Sequence, residues 1–283
     1  AIRDCMGAKK DEKILVITDE LKREIGLSLY ENAIRMGYFA LLVEMKSGKI
    51  NGEEPSPEVA ELMQKFDVVF CPTAKSLTHT NARRAASAKG VRIATFPGIT
   101  NEVMIRGMNA DYKSISKRTI KLKEILETGK EIRVTAPAGT DISFSIKGRA
   151  AYASKGLFHA KGESGNLPTG EAFLAPVEGT SNGVFVVDGS MAGLGLIKNA
   201  NIRIEVENGY ATKITGGVLA RKLKQQLDAV GKEARNIAEF GHSRPEFLLL
   251  SLHTLNLALP QLDTSPAKLT NDDHHLKPEV TNQ

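Results

Sequence analysis

I-L-V-I-T-D-E-L-K-R-E-I-G-L-S-L-Y-E-N-A-I-R-M-G, residues 14–37, decides the fold class. Its first residues are a continuous apolar, largely β-branched run, the pattern of a strand covered on both faces. From Leu21 to Met36 the apolar residues recur at helical spacing, and Gly37 supplies the stop. A strand leading at once into a helix is the first half of a βαβ unit, and the following segments repeat it. Residues 38–43 read as a strand, 56–65 as a helix with proline in its first turn, and 67–72 as a strand. Residues 80–89 read as a helix ended by Gly90, 91–96 as a strand and 111–126 as a long helix. The alternation predicts an α/β N-terminal domain over residues 1–129, a parallel sheet with helices on both faces. Ligands of such sheets gather at the carboxyl ends of the strands, which here read Thr18-Asp19, Pro72-Thr73 and Pro97-Gly98.

Beyond residue 130 the period changes to two. Residues 132–136, 141–147 and 183–188 alternate or run apolar at strand length. Two further strands, 201–207 and 211–215, flank Asn208-Gly209, a strong hairpin signal. Gly216-Gly217 then precedes a helix over 218–230. The expectation is a β-rich α+β C-terminal domain over residues 130–283, carrying the catalytic groups.

Composition narrows the function classes. With 25% charged and 41% apolar residues, the 283-residue chain matches soluble globular proteins. The start, A-I-R-D-C-M-G, has no apolar leader, and the greasiest run, 247–260, is too short and too polar to cross a bilayer. Two cysteines make no disulfide framework, so a cytoplasmic protein with no membrane partner is expected. The net charge of +5 lies wholly in the first 130 residues, much of it in K-S-I-S-K-R-T-I-K-L-K at 113–123. No aromatic residue interleaves those cations, which favours a solvated helix face over a nucleic-acid groove. No G-x-G-x-x-G follows the first strand, and P-loop, G-x-S-x-G, C-x-x-C and H-E-x-x-H patterns are missing. What remains is carboxylates near strand ends, Glu171, Glu178 and Glu239, with His242, His253 and the run Asp272-Asp273-His274-His275. Carboxylates and imidazoles gathered from separate strands can hold divalent ions, and two ions about 3.5–4 Å apart can activate a water.

Three segments carry a resemblance: G-N-L-P-T-G-E-A-F-L-A-P-V-E-G-T at 165–180, V-V-D-G-S at 186–190 and N-I-A-E-F-G at 236–241. With P-T-A-K-S-L-T-H-T at 72–80 and P-G-I-T at 97–100, the sequence resembles the M29 metallo-aminopeptidases, the aminopeptidase T-like family and its short microbial leucyl aminopeptidase relatives. The resemblance implies a homodimer that removes the N-terminal residue from a peptide with a free N-terminus. It implies two divalent ions per chain (Zn, Co, Mn or Mg) and a metal-activated water. By the same resemblance Glu171 matches the first metal-binding carboxylate. Glu239 matches the second, bridging the ions and acting in catalysis. Glu178 is left structural. His253 is the counterpart of a third ligand, and His274 or His275 with Asp272 or Asp273 stands in for the last pair.

The resemblance fades after Gly241. All 25 glycines lie at or before that residue, and the segment 242–283 has ten leucines and no isoleucine. A β domain that needs turns does not ordinarily lose its glycine abruptly. Two alternatives therefore stand beside the aminopeptidase: a metal-free relative that binds a small ligand or partner, and a metal-dependent ring-cleaving or amide-hydrolysing homologue, since a shared fold does not fix the reaction.

Overall fold

The computed structural model describes residues 1–191, 193–198, 200–243, 252–257 and 277–281. The chain divides into two compact units. The first comprises residues 1–116 and 154–169, the second the remainder. The division falls inside a helix, ahead of the Gly129 boundary read from sequence, and residues 154–169 return to the first unit.

The first unit begins with strand β1 (Lys13–Asp19), whose residues from Ile14 on are all buried, as the unbroken apolar run requires. Helix α1 (Arg23–Arg35) follows, then strand β2 (Phe39–Met45), helix α2 (Pro57–Met63), strand β3 (Val68–Cys71), helix α3 (Asn81–Ala88) and strand β4 (Arg92–Thr95). Helix α4 (Asn101–Met108) was not read from sequence; α5 (Tyr112–Thr128) was. Side-chain oxygens start three of these helices, with Ser56, Thr80 and Thr100 accepting from the backbone N–H three residues on. Strands β2, β1, β3 and β4 pair in that order and in parallel, and a strand at Ser164–Asn166, β8 in chain order, adds to β4. Two apolar cores lie on opposite faces of this sheet. Ile25, Leu29 and Ala33 of α1 belong to one; Val59 and Met63 of α2 and Ala82 and Ala86 of α3 belong to the other. Gly26 shows how closely α1 approaches, because a Cβ there would stand 2.6 Å from the Thr18 side chain.

The second unit holds β5 (Glu131–Ala136), β6 (Thr140–Ser145), β7 (Tyr152–Ser154), β9 (Glu171–Leu174) and β10 (Asn182–Val187), then the short hairpin β11 (Ser190–Met191) and β12 (Gly195–Leu196). Next come β13 (Ile202–Glu207), β14 (Tyr210–Thr215), helix α6 (Val218–Val230), β15 (Ile237–Ser243), β16 (Leu252–Leu257) and β17 (Lys277–Thr281). The expected hairpin forms at Asn208-Gly209, both at positive φ (49° and 83°), as a two-residue turn of this type requires. One sheet runs β14-β13-β10-β6-β5-β17 and the other β16-β15-β9-β7. Their shared core contains Phe144 and Phe240, with ring centroids 5.5 Å apart, and Leu223 and Leu227 of α6. A parallel sheet flanked by helices plus an antiparallel-rich region is the α/β and α+β architecture the sequence predicts.

Candidate active site

The carboxyl ends of β1, β3 and β4 are the ligand edge expected of a parallel sheet, and their polar groups are taken up internally. Asp19 is fully buried, and its carboxylate accepts the Leu21 N–H at 3.1 Å and the Ala74 N–H at 2.5 Å. Thr18 donates to the Pro72 carbonyl at 3.0 Å. Thr78 and Thr95 both donate to Asn166 Oδ1, at 2.8 and 2.7 Å. The Glu54 carboxylate accepts from Asn81 and Ala82 and so occupies the N-terminus of α3. A cavity of about 480 Å³ opens nearby, lined in part by Lys22, Arg23, Glu24 and Asn101, but Arg23 is paired with Glu44 and Asn101 donates to Glu24. The buried thiols carry no nucleophile either: burial pushes Cys5 up to about 11 and Cys71 up to about 12.

The second unit carries the carboxylates that the sequence singled out, Glu171, Glu178 and Glu239. Strand β9 alternates, with Ala172 and Leu174 buried in the core and Glu171 and Phe173 half-buried on the other face. In the antiparallel register with β15, Glu171 lies opposite Ser243 and Phe173 opposite Gly241. Glu239, two residues before Gly241 and also half-buried, shares that face. Glu171 and Glu239 therefore stand on one sheet face four register positions apart, about 13 Å along the strands at about 3.3 Å per residue. Between them the face carries Phe173, stacked on Tyr152 with centroids 5.6 Å apart and planes 25° from parallel. Glu178, left structural in the sequence reading, is paired with Arg149 and largely exposed.

His253 falls on β16 with His242 of β15 directly opposite in register. His242, which the ligand assignment passed over, is buried and shares the face of Ala172 and Phe240. The signal was present in the period-two pattern of residues 239–242, which sends Phe240 and His242 one way and Glu239 and Gly241 the other. His274, His275, Asp272 and Asp273 lie outside the described residues. Among the described residues no group of three His, Cys, Asp or Glu is placed to hold a metal ion. These residues thus supply carboxylates but no complete donor set.

The class defined here is a two-unit protein, one unit α/β and one rich in antiparallel strands, with two carboxylates on one sheet face of the second. The family model described as NicX: 2,5-dihydroxypyridine 5,6-dioxygenase matches residues 6–243, and the chain belongs to that family. Among solved structures, 2,5-dihydroxypyridine dioxygenase from Pseudomonas putida KT2440 superposes with a TM-score of 0.68 at 19% identity, over 83% of this chain and 71% of that one. Wild-type AmpT from Thermus thermophilus superposes with a TM-score of 0.55 at 17% identity, over 86% and 76%. At these identities both likenesses are of fold. No curated protein matches the chain.

These findings correct the aminopeptidase reading. The M29 resemblance survives as a distant likeness of fold, seen in the AmpT superposition, while the family is that of a dioxygenase. The hydrolase, protease and aminopeptidase assignments fall with it. The quoted motifs shape turns and strands of a shared scaffold, and a scaffold carries more than one chemistry. No helix among the described residues is long and apolar enough to cross a membrane.

Proposed function

We propose that this protein is a ring-cleaving dioxygenase acting on a hydroxylated pyridine or a closely similar hydroxylated monocycle. The family match over residues 6–243 carries this reading. In the reaction named for the family, the bond between ring carbons 5 and 6 breaks, and both atoms of one dioxygen molecule enter the opened product. No external reductant is needed. A divalent ion is part of the proposal. Its usual contribution to such chemistry is to bring dioxygen and the ring together; Glu171 and Glu239, about 13 Å apart along the strands, would each supply at most one ligand. Because the described residues do not complete a donor set, no step is derived through the ion.

The test is oxygen uptake and loss of the ring's ultraviolet absorption with 2,5-dihydroxypyridine, using protein supplied in turn with Fe, Mn, Co, Zn and Mg. One dioxygen should be consumed per ring opened, both labelled oxygens should appear in the product mass, and a chelator should stop the reaction until metal is returned. Intact ring and no uptake under every metal would overturn the proposal.

A further inference from the structure

The strip Tyr152–Phe173–Gly241 crosses three strands of the four-stranded sheet between the two carboxylates. Phe173 is half-buried and Tyr152 is 59% exposed, so neither ring is committed to the core in the way Phe144 and Phe240 are. Their planes lie within 25° of each other, so Tyr152 backs Phe173 by stacking. On the far side of Phe173, register places Gly241, which adds no side chain to the strip. Glycine inside a strand marks a place where another group approaches the backbone closely. Glu171 lies two residues from Phe173 on one side and Glu239 two residues from Gly241 on the other, each about 6.6 Å along its strand. Phe173 and Gly241 thus form the midpoint of a face whose two carboxylate-bearing positions stand about 13 Å apart, and the Phe173 ring is the flat group at that midpoint.

We infer that Phe173, supported by Tyr152, is the stacking surface for the substrate ring. The ligand class is a planar, monocyclic aromatic carrying hydroxyl groups that face the flanking carboxylates. A linear or aliphatic ligand gains nothing from such a surface, whereas an aromatic ring gains both burial and favourable ring geometry. The inference rests on the ring-cleaving reading for its choice of probe but not for its test.

The experiment is calorimetric titration under anaerobic conditions, where no turnover can occur, with 2,5-dihydroxypyridine and hydroquinone as ring probes and glutarate as an acyclic one. Three proteins are compared: wild type, Phe173→Leu, which keeps apolar bulk but removes the ring, and Phe39→Leu, an aromatic deletion in the other unit. Wild type and Phe39→Leu should bind a ring probe equally, with Phe173→Leu weaker by about tenfold, the loss expected of about 1.4 kcal/mol of stacking. Glutarate should not bind with Phe173-dependent affinity. Equal binding of the rings by all three proteins, or no ring binding by wild type, overturns the inference. Thermal melts show whether Phe173→Leu is folded; if it is not, Phe173→Tyr, which restores a ring, should bind like wild type and Tyr152→Leu should bind more weakly. Tyr152→Leu binding as tightly as wild type overturns the inference on that branch. Catalysis separates the two readings. Turnover of dihydroxypyridine with Phe173-independent binding defeats only the stacking surface, and Phe173-dependent binding of hydroquinone without dihydroxypyridine turnover defeats only the assigned reaction.

Discussion

The two units place their carboxylates differently. In the first, Asp19 is fully buried and spends both oxygens on backbone N–H groups from two loops, and Glu54 does the same for the start of α3. Those carboxylates fix loops in place. In the second, Glu171 and Glu239 stand half-buried on a sheet face, apart from the apolar core beneath. At the parallel-sheet edge, where ligands usually bind, the Asp19 and Glu54 carboxylates hold backbone N–H groups, and the candidate carboxylates lie on the antiparallel sheet.

The contrast breaks most sharply under a paired substitution. Glu239→Gln keeps shape and removes charge; under the proposed function it should lower dioxygenase turnover by about 100-fold while leaving the melting temperature within about 2 °C of wild type. Asp19→Ala should do the reverse. It strands two backbone donors in a buried site, a cost of about 3 kcal/mol, or about 6–12 °C in melting temperature for a chain of this size, with turnover per folded molecule retained. Calorimetric melts and oxygen-uptake rates on both variants decide it. If Asp19→Ala melts like wild type, the first unit's edge is not held by that carboxylate; if Glu239→Gln turns over normally, the candidate site is misplaced.

Most of the first unit was legible because its signals are local. An unbroken apolar run, a helical period and a glycine stop identify β1 and α1 without tertiary information, and strands β2, β3 and β4 repeat the code. What escaped was β8, Ser164–Asn166, which has no apolar pattern and exists because β4 offers it an edge. Helix α4 escaped because it is short and its opening signals are only the cap at Thr100 and Glu102 in the first turn. In the second unit Glu171 and Glu239 were found through motif resemblance. Their placement on one face was not legible, because it depends on the register of β9 against β15, a pairing of residues about 70 positions apart. The reaction was misread for a related reason. N-L-P-T-G-E and N-I-A-E-F-G encode a strand and its turn, and the same strand serves more than one chemistry.

The next test sharpens the picture of the first unit's core. Cys5 and Cys71 are buried, and burial pushes both thiols up, to about 11 and about 12, so almost no thiolate exists at pH 8. Under native conditions neither should react with an aromatic disulfide reagent over minutes, and both should react at once in denaturant. Rapid labelling of one thiol in the folded protein would show that the unit opens locally and that its core is looser than the packing of β1 and β3 implies.

The smallest effect belongs to Glu163, in the part of the chain that returns to the first unit. Burial alone would raise its pKa, but the Ala160 N–H at 2.9 Å and the Lys155 ammonium at 3.0 Å more than offset that, and the carboxyl titrates below its ordinary 4.5. A carboxyl whose pKa is depressed by folding adds stability that is fully present above the unfolded value. That stability is lost as the pH falls through the folded one. Its contribution therefore disappears below about pH 4.5 and is intact at neutrality. Both side chains are about a third exposed, so solvent screens the pair and the effect is on the order of a few tenths of a kcal/mol. Glu163→Gln should lower the melting temperature slightly at pH 7 and converge with wild type near pH 3, measured by melts stepped across that range. Curves that stay parallel into acid would mean that the loss comes from packing of the Glu163 stem, and that carboxylates in this unit act through shape as well as charge.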